Sequence, residues 1–316
     1  MRYAATVLAL CALFGCGGSK IRTAALRVGE SPLEEIAGIT PCTATGTAPG
    51  HLNPDAPLTL LVHGCNDSAG RFDKLSDVFD AHGQQAICFT YESRDTIDVA
   101  ARSLRRALAR LEQRLPGQPI TVLGHSQGGL VARRGLTAMP EEPELQTDYR
   151  LVTIASPFAG IHAARHCAAR WLYGVSLGIT PMICRGVAGK NWVEIHRGAR
   201  LVREPGTLSP IVSSYLQIRT DERTTCRHRD AAGRCVKDDF VFSLAEQTNP
   251  KAGGPGFRAR EIGAGHVQIV GHDGQSPTQL IGLLQDEGIM RPTPRDKQVA
   301  MARLIASLYG VDVPDR

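Results

Sequence analysis

Aromatic residues are scarce in this sequence, and neither sign of charge dominates it. Phe, Trp and Tyr make up 5% of the 316 residues, and 36 basic against 31 acidic residues leave a net charge of only +5. Several arginines fall along one stretch, residues 102–114, but no aromatic residue is interleaved with them. Because nucleic-acid binding relies on strong basic patches, often with stacking aromatics, we do not expect it here.

Metal-binding patterns and repeats are missing as well. No Cys-x-x-Cys pair and no His/Cys cluster has the spacing of a zinc site, so neither a metal nor another cofactor is expected. There is no internal repeat, and 42% hydrophobic with 21% charged residues is typical of an ordinary globular protein. The length suits one large α/β domain with an insertion.

The first sixteen residues contain an apolar stretch, residues 3–14, which is shorter than the roughly 20 residues that a membrane-spanning helix needs. Arg2 precedes it, and Leu-Phe-Gly-Cys at 13–16 ends it. Segment 1–16 therefore resembles a bacterial lipoprotein signal peptide, which implies cleavage before Cys16 and lipid attachment to it. An uncleaved anchor and a secretory signal without lipid are the alternatives.

The resemblance also implies a cellular location. Gly17 is not the aspartate that retains lipoproteins at the inner membrane, so we expect a lipid-anchored protein of the outer membrane, facing the periplasm. Residues 17–56 are punctuated by prolines and are interpreted as a tether and lead-in to the folded domain.

Cysteines are frequent for a protein of the reducing cytosol. Of the nine, Cys11 and Cys16 lie in the leader, and the seven that remain favour an oxidising compartment. We expect a disulfide between Cys226 and Cys235, which lie nine residues apart across a polar, turn-rich stretch. Two further pairs are expected beside it, Cys167 with Cys184 and Cys65 with Cys88, and they leave Cys42 without a partner in this scheme.

Short β-rich segments alternate with helix-length segments from residue 57 onward. Strands are predicted at 58–63, 86–91, 120–123, 151–155, 215–219 and 258–262. Apolar residues at helical spacing predict helices from Ser68 to Gly83, from Asp95 to Pro116, and over 295–309. Strands separated by helices pair in parallel. The expected fold class is therefore α/β, one domain over 57–316 with a mostly parallel central sheet and helices on both faces.

Residues 158–210 interrupt this alternation. The stretch is much longer than the crossover of about a dozen residues that parallel strands require. It is apolar and aromatic in places, with Trp171 and Trp192, and it follows the C-terminal end of a strand, where α/β proteins build their sites. We expect an inserted lid over the site at 158–210, with extra core helices away from the site as the alternative.

The sequence Gly-His-Ser-Gln-Gly at 124–128 comes directly after a predicted strand and directly before a helix-forming stretch. This placement predicts a nucleophile elbow, in which a strained turn projects the hydroxyl of Ser126 from the edge of the sheet. Glycines are needed at 124 and 128 because side chains there would strike the neighbouring strand or the new helix. Ser126 is therefore the candidate nucleophile.

Three more segments accompany the elbow: Leu-Leu-Val-His-Gly at 60–64, Ala-Ser-Pro-Phe-Ala-Gly at 155–160 and Gly-Ala-Gly-His at 263–266. With them, residues 58–266 resemble the α/β-hydrolase superfamily, and within it the bacterial lipases and esterases. That resemblance implies an α/β-hydrolase fold and the chain order serine, acid, histidine. His266 matches the family's catalytic base and sits in a glycine-rich turn after a predicted strand; His272 is the alternative.

The acid is open among three aspartates. The family pattern aligns with Asp238, the adjacent Asp239 is the first alternative, and Asp221, closest to the end of a predicted strand, is the second. For the oxyanion hole, the resemblance implies the backbone N–H groups of Gln127, which follows the nucleophile, and of Cys65, which follows the His-Gly pair at 63–64.

These features predict a serine hydrolase of the lipase or esterase type. It would cleave carboxylic esters, lipid or other apolar acyl esters, through an acyl-enzyme on Ser126. An acyltransferase or a thioesterase would use the same residues, and a non-catalytic lipid-binding module of the envelope is the alternative from another class. The expected partners are the ester substrate and the membrane that the lipid on Cys16 would reach.

Overall fold

The central feature of the protein is a mostly parallel β-sheet, seen in a computed structural model that describes residues 36–42, 52–65, 67–162 and 194–312. Within these residues seven strands form the sheet, in the spatial order β1-β3-β2-β4-β5-β6-β9. Their bounds are β1 (Ile39–Thr40), β2 (Leu58–Val62), β3 (Gln85–Phe89), β4 (Ile120–His125), β5 (Tyr149–Ile154), β6 (Val212–Thr220) and β9 (Phe257–Ile262). β1 is antiparallel to β3, and the other neighbouring pairs are parallel. The predicted sheet is confirmed.

Helices cover both faces of this sheet, as predicted. The helices are α1 (Asp73–Ala81), α2 (Ile97–Arg114), α3 (Gln127–Gly135), α4 (Arg200–Arg203), α5 (Leu244–Gln247), α6 (Thr278–Asp286) and α7 (Gln298–Tyr309). Side chains of α2 and α3 share one buried cluster with Leu60 and Val62 of β2. Side chains of α1, α6 and α7 share another with Leu61. Successive residues of a strand point to opposite faces, and β2 is buried on both sides and is apolar except for Thr59.

Helix ends follow local chemistry closely. The hydroxyl of Thr96 accepts a hydrogen bond from the backbone N–H of Val99, so Thr96 caps α2 and the predicted start at Asp95 is one residue early. Ser68 precedes a single 3₁₀ turn, residues 69–72, and makes no side-chain capping bond. Gly310 adopts a left-handed conformation, φ 62°, and ends α7 where the sequence predicts.

Two disulfides are present in the described residues. Cys226–Cys235, which closes the separate antiparallel hairpin of β7 (Cys226–Arg229) and β8 (Cys235–Asp238), is confirmed. The pairing of Cys65 with Cys88 is wrong, because Cys88 bonds to Cys42. The short β1 pairs with β3 and places Thr40 opposite Cys88, which brings the Cα atoms of Cys42 and Cys88 to 5.0 Å. The pair Cys167 and Cys184 lies outside the described residues.

Two further predictions fall wholly or largely outside the described residues. One is the leader with Cys16, and the other is the greater part of the lid, residues 163–193. The two described ends of the lid segment lie side by side, since the N–H of Ile161 donates to the carbonyl of Ile195 at 2.7 Å. Among the residues that the structure describes, none of the helices has the length and apolar character needed to cross a bilayer.

Candidate functional site

Ser126 occupies a strained turn between β4 and α3. Its φ of 56° and ψ of −125° place it in a region that residues other than glycine rarely adopt. The strand ends at His125 and the helix begins at Gln127, so a single residue makes the whole change of direction. The predicted elbow geometry is therefore present, at the C-terminal edge of the parallel strands.

The elbow requires glycine at both flanking positions for steric reasons. A Cβ on Gly124 would overlap the backbone of Gly128 and Gly129 in the new helix. A Cβ on Gly128 would overlap the carbonyl oxygens of Val62 and His63 in the neighbouring strand. These are the two clashes that the sequence predicts, and they explain how helix α3 can start so close to the sheet.

The serine lies at one end of a chain of hydrogen bonds through buried side chains. Oγ of Ser126 is 3.0 Å from Nε2 of His266, and Nδ1 of His266 is 3.0 Å from Oε1 of Glu222. A carboxylate can only accept, so Nδ1 carries the proton and Nε2 is left to accept from the serine hydroxyl. This tautomer allows the imidazole to take the serine proton.

Glu222 is fully buried, and each of its carboxylate oxygens is hydrogen-bonded. Its Oε1 also accepts from the hydroxyl of Thr220 at 2.8 Å. Its Oε2 accepts from the backbone N–H groups of Val241 at 2.6 Å and Phe242 at 2.8 Å. A buried carboxylate is costly unless donors surround it, and these donors hold it with one oxygen facing His266.

The structure corrects the prediction of the acid. Asp238 is exposed at the end of β8, and its carboxylate accepts a bond of 3.4 Å from the N–H of Phe240. Asp221 is at the surface, where Arg223 lowers the pKa of its carboxyl to about 2. Asp239 is buried next to His266 in space but contacts backbone N–H groups and Arg227. The carboxylate at the imidazole is Glu222.

A local signal could have identified Glu222. It lies two residues beyond the end of β6, the strand that precedes the last strand of the sheet in sequence. The disulfide-closed hairpin β7–β8 comes between that strand end and the aspartates at 238 and 239. The family pattern favours an aspartate beyond the hairpin, whereas the carboxylates of either type close to the strand end include Glu222.

Two other histidines, His125 and His63, lie close to the turn. Their ring hydrogen bonds go to backbone carbonyls and not to Ser126. Nε2 of His125 donates to the backbone carbonyl of His266 at 2.8 Å, and burial, followed by the neighbouring His266, holds its pKa well below the ordinary value. His63 donates from Nδ1 to the carbonyl of Gly64 and stacks on Tyr91 with ring centroids 4.6 Å apart. Burial lowers the pKa of His63 as well, so the surroundings of both rings favour the neutral form.

The predicted oxyanion residues, Cys65 and Gln127, both belong to segments next to the serine. A Cβ on Gly64 would stand 3.1 Å from Cβ of Ser126, so the turn that carries the half-buried Cys65 passes beside the nucleophile. Gln127 is the first residue of α3, and its side-chain amide donates to the carbonyl of Ser93 at 2.9 Å. His272, the alternative base, lies in a separate turn where Nδ1 contacts the carbonyl of Asp273.

Comparisons with solved structures match this architecture. The mature form of lipase BlEst2 from Bacillus licheniformis superposes with a TM-score of 0.50 at 15% identity, covering 76% of this chain and 94% of the lipase. Its propeptide form gives a TM-score of 0.55 at 14% identity over 78% of this chain, which spans about half, 53%, of that longer protein. These likenesses show that the chain has the α/β-hydrolase fold.

Sequence comparison adds a more specific likeness. The family model for palmitoyl protein thioesterase matches residues 59–212, just under half of the chain, from β2 to the start of β6. The matched part contains the elbow with Ser126 and ends before Glu222 and His266. No curated protein matches the sequence significantly. Both the family match and the structural likenesses are with hydrolases.

Proposed function

We propose that this α/β-hydrolase is a serine hydrolase that cleaves acyl esters through a covalent acyl-enzyme on Ser126. The observation that carries the proposal is the hydrogen-bond chain from Ser126 through His266 to Glu222, with both links at 3.0 Å. A serine hydroxyl is a weak nucleophile until a base accepts its proton, and a buried acid keeps that base in the correct tautomer.

In the proposed reaction each step has a residue whose position supports it. His266 takes the proton of Ser126 as Oγ attacks the acyl carbonyl, and it later gives that proton to the leaving oxygen. Glu222 stabilises the imidazolium that forms in between. Negative charge on the carbonyl oxygen would be stabilised by the backbone N–H groups of Gln127 and Cys65, which belong to the two segments that flank Ser126. Water then attacks the acyl-enzyme: His266 takes a proton from the water and returns it to Oγ of Ser126 as the acid product leaves.

An apolar acyl group is the substrate class that fits best. The two described ends of the lid segment meet at the edge of the sheet where Ser126 lies, because Glu194 accepts from the N–H of Ile97 at the start of α2, which follows β3. Ile161 and Ile195 at these ends belong to the buried cluster on the α2 face. A lid at 158–210 would thus stand over the elbow, and the solved neighbour BlEst2 is described as a lipase.

A thioester substrate is the second candidate, and the match to the palmitoyl protein thioesterase family favours it. The chemistry is the same up to the leaving group, which is a thiolate instead of an alkoxide. A thiolate leaves with less help from a general acid, so a thioester would depend less on proton donation by His266. A panel of matched esters and thioesters with acyl chains of increasing length separates the two candidates.

Attachment to a membrane through a lipid on Cys16 is also part of the proposal. A lipid on Cys16 would hold the site at a membrane surface, where apolar acyl substrates are found, and the leader at 1–16 supports this. Metabolic labelling with a fatty-acid analogue should mark the wild-type protein and leave Cys16→Ser unmarked. Equal labelling of both would remove the anchor from the proposal.

Covalent labelling with a fluorophosphonate probe tests the enzymatic function directly. Wild-type protein should bind one equivalent of probe and hydrolyse short-chain p-nitrophenyl esters. Ser126→Ala should do neither, while a conservative change at an exposed site, Ser307→Ala in α7, should leave both intact. Folded wild-type protein that takes up no probe would instead support the non-catalytic lipid-binding module.

A further inference from the structure

We propose that Asp239 and Arg227 form a positioning pair that holds the His266 loop, so that the imidazole stays between Ser126 and Glu222. This inference rests on the proposed function, and it assigns Asp239 a role other than the acid for which the sequence made it a candidate. Neither side chain touches the reacting atoms in the structure. Both act through the backbone of the loop that carries His266.

The contacts of Asp239 converge on this loop. Its Oδ2 accepts from the backbone N–H groups of Val267 at 3.0 Å and Gln268 at 2.9 Å. Its own carbonyl accepts from the N–H of His266 at 3.0 Å. Three successive amides, starting with that of the base itself, are therefore held by one residue whose side chain is fully buried.

Arg227 holds the other oxygen of the same carboxylate. Its Nε and Nη2 both donate to Oδ1 of Asp239, at 2.9 and 2.5 Å. Two donors on a single oxygen fix the position of Oδ1, and hydrogen bonds between charged partners are stronger than neutral ones. With Oδ1 on the guanidinium and Oδ2 on the two amides, the side chain has one orientation in which all its contacts are made.

The loop is built to receive this carboxylate. A Cβ on Gly265 would overlap Oδ2 and Cβ of Asp239, so any other residue at 265 would push the two apart. Gly263, two residues earlier in the same turn, has open space where its Cβ would be. The glycine next to the base is thus required by Asp239, whereas the other one is not.

The same segment also fixes the acid. Val241 and Phe242, which follow Asp239 after one intervening residue, donate their N–H groups to Glu222. The ring of Phe242 meets that of His266 edge-on with centroids 4.9 Å apart. Arg227 itself is carried by the hairpin that the Cys226–Cys235 disulfide closes. Residues 239–242 therefore contact both Glu222 and the loop that carries His266. The Arg227–Asp239 pair ties this stretch to strand β7 of the hairpin.

Two variants disturb the pair from opposite sides. Arg227→Met keeps the aliphatic stem and removes the guanidinium, and Gly265→Ala leaves all charges in place and displaces Asp239. A displacement of the base by about 1 Å costs on the order of 100-fold in rate. We therefore expect kcat per active site to fall about 10- to 100-fold in both variants with KM for a short-chain ester little changed, and Arg227→Lys to recover part of the loss.

Each variant has a matched control in the same element. Arg234→Met removes an exposed arginine of the same hairpin, which pairs with Asp230, and Gly263→Ala adds a methyl group in the same turn. Both controls should keep wild-type kcat. Titration of active sites with a fluorophosphonate separates positioning from folding, because a purely structural role would lower the titratable fraction and leave kcat per titrated site unchanged. That outcome, or full kcat in Arg227→Met, would overturn the proposal.

Hydrogen exchange provides a readout that does not depend on catalysis. The amides of Val267 and Gln268 should exchange at least about tenfold faster in Arg227→Met than in Arg234→Met, since their acceptor loses its anchor. If the wild-type protein proves to hydrolyse nothing, this difference still decides whether the pair holds the loop. Unchanged exchange at both amides would overturn the positioning role even in an active enzyme.

Discussion

Replacing Glu222 by glutamine is the sharpest test of the site. The two side chains have nearly the same shape, so packing is kept while the charge and one acceptor are lost. In the wild-type protein Oε2 accepts from two backbone N–H groups and Oε1 from Thr220 and His266. The amide oxygen of the variant must therefore take the Oε2 position, because an NH₂ group there would face two donors with no acceptor between them.

The amide nitrogen of the variant then faces Nδ1 of His266. Since an NH₂ group donates, the ring must accept at Nδ1 and carry its proton on Nε2, the nitrogen that faces Ser126. This tautomer cannot take the serine proton. The corresponding aspartate-to-asparagine change in a Ser-His-Asp enzyme lowers kcat about 10⁴-fold. We expect a similar loss for Glu222→Gln, equivalent to about 5 kcal/mol of transition-state stabilisation.

The assay is kcat/KM on a short-chain p-nitrophenyl ester, with thermal melting to show that the variant is folded. Asp238→Asn is the matched control, because its carboxylate is exposed and makes only a long bond to the N–H of Phe240 in the described structure. It should stay within about twofold of wild type, as surface substitutions do. Loss of activity in Asp238→Asn together with more than a tenth of the activity in a folded Glu222→Gln would refute the assignment of the acid.

Three further predictions concern the framework of the site. In urea titrations, Gly128→Ala should destabilise the fold by about 1–3 kcal/mol, and it should abolish activity, because its methyl group overlaps the backbone at the end of β2. Gly282→Ala, whose methyl group enters open space on α6, should raise the stability by roughly 0.5–1 kcal/mol. Serine at both Cys226 and Cys235 should cost about 2–3 kcal/mol by the loop-closure relation in the same titrations, and an unchanged midpoint would contradict this. His125 has a folded-state pKa below the ordinary 6.5, so its contribution to stability is present above that pH and is lost as the pH falls below it; Tm should decline below about pH 6.5, and less steeply in His125→Asn.

Much of the fold follows from the sequence because its signals are local. Each strand predicted between residues 58 and 262 is present, since buried parallel strands are short apolar runs flanked by turn residues. The ends of α2 and α7 lie within about a turn of their predicted positions for the same reason, whereas α1 begins only at Asp73, after the 3₁₀ turn at 69–72. The Cys226–Cys235 bond was predictable because both cysteines lie on one short hairpin.

The parts of the site that depend on neighbouring residues in the chain could also be predicted. The elbow could be predicted because its strand, strained serine and flanking glycines are consecutive in the chain, and their steric needs are visible in the sequence. The position of His266 was predictable because a glycine-rich turn after the last strand leads back to the elbow. In the structure Nε2 of this histidine does lie 3.0 Å from Oγ of Ser126.

Only the tertiary structure decided which carboxylate meets that histidine. Asp221, Glu222, Asp238 and Asp239 all follow β6 and precede His266, so their order in the chain does not choose among them. The choice depends on which side chain turns inward, and that is set by donors from other segments: Val241, Phe242 and Thr220 surround Glu222, and Arg227 with two loop amides surrounds Asp239. The Cys42–Cys88 bond could not be predicted from the sequence either, because it depends on the pairing of β1 with β3, and the two cysteines are 46 positions apart. Short-range sterics and periodicity can be inferred from the chain itself, whereas the pairing of distant polar groups requires the folded arrangement.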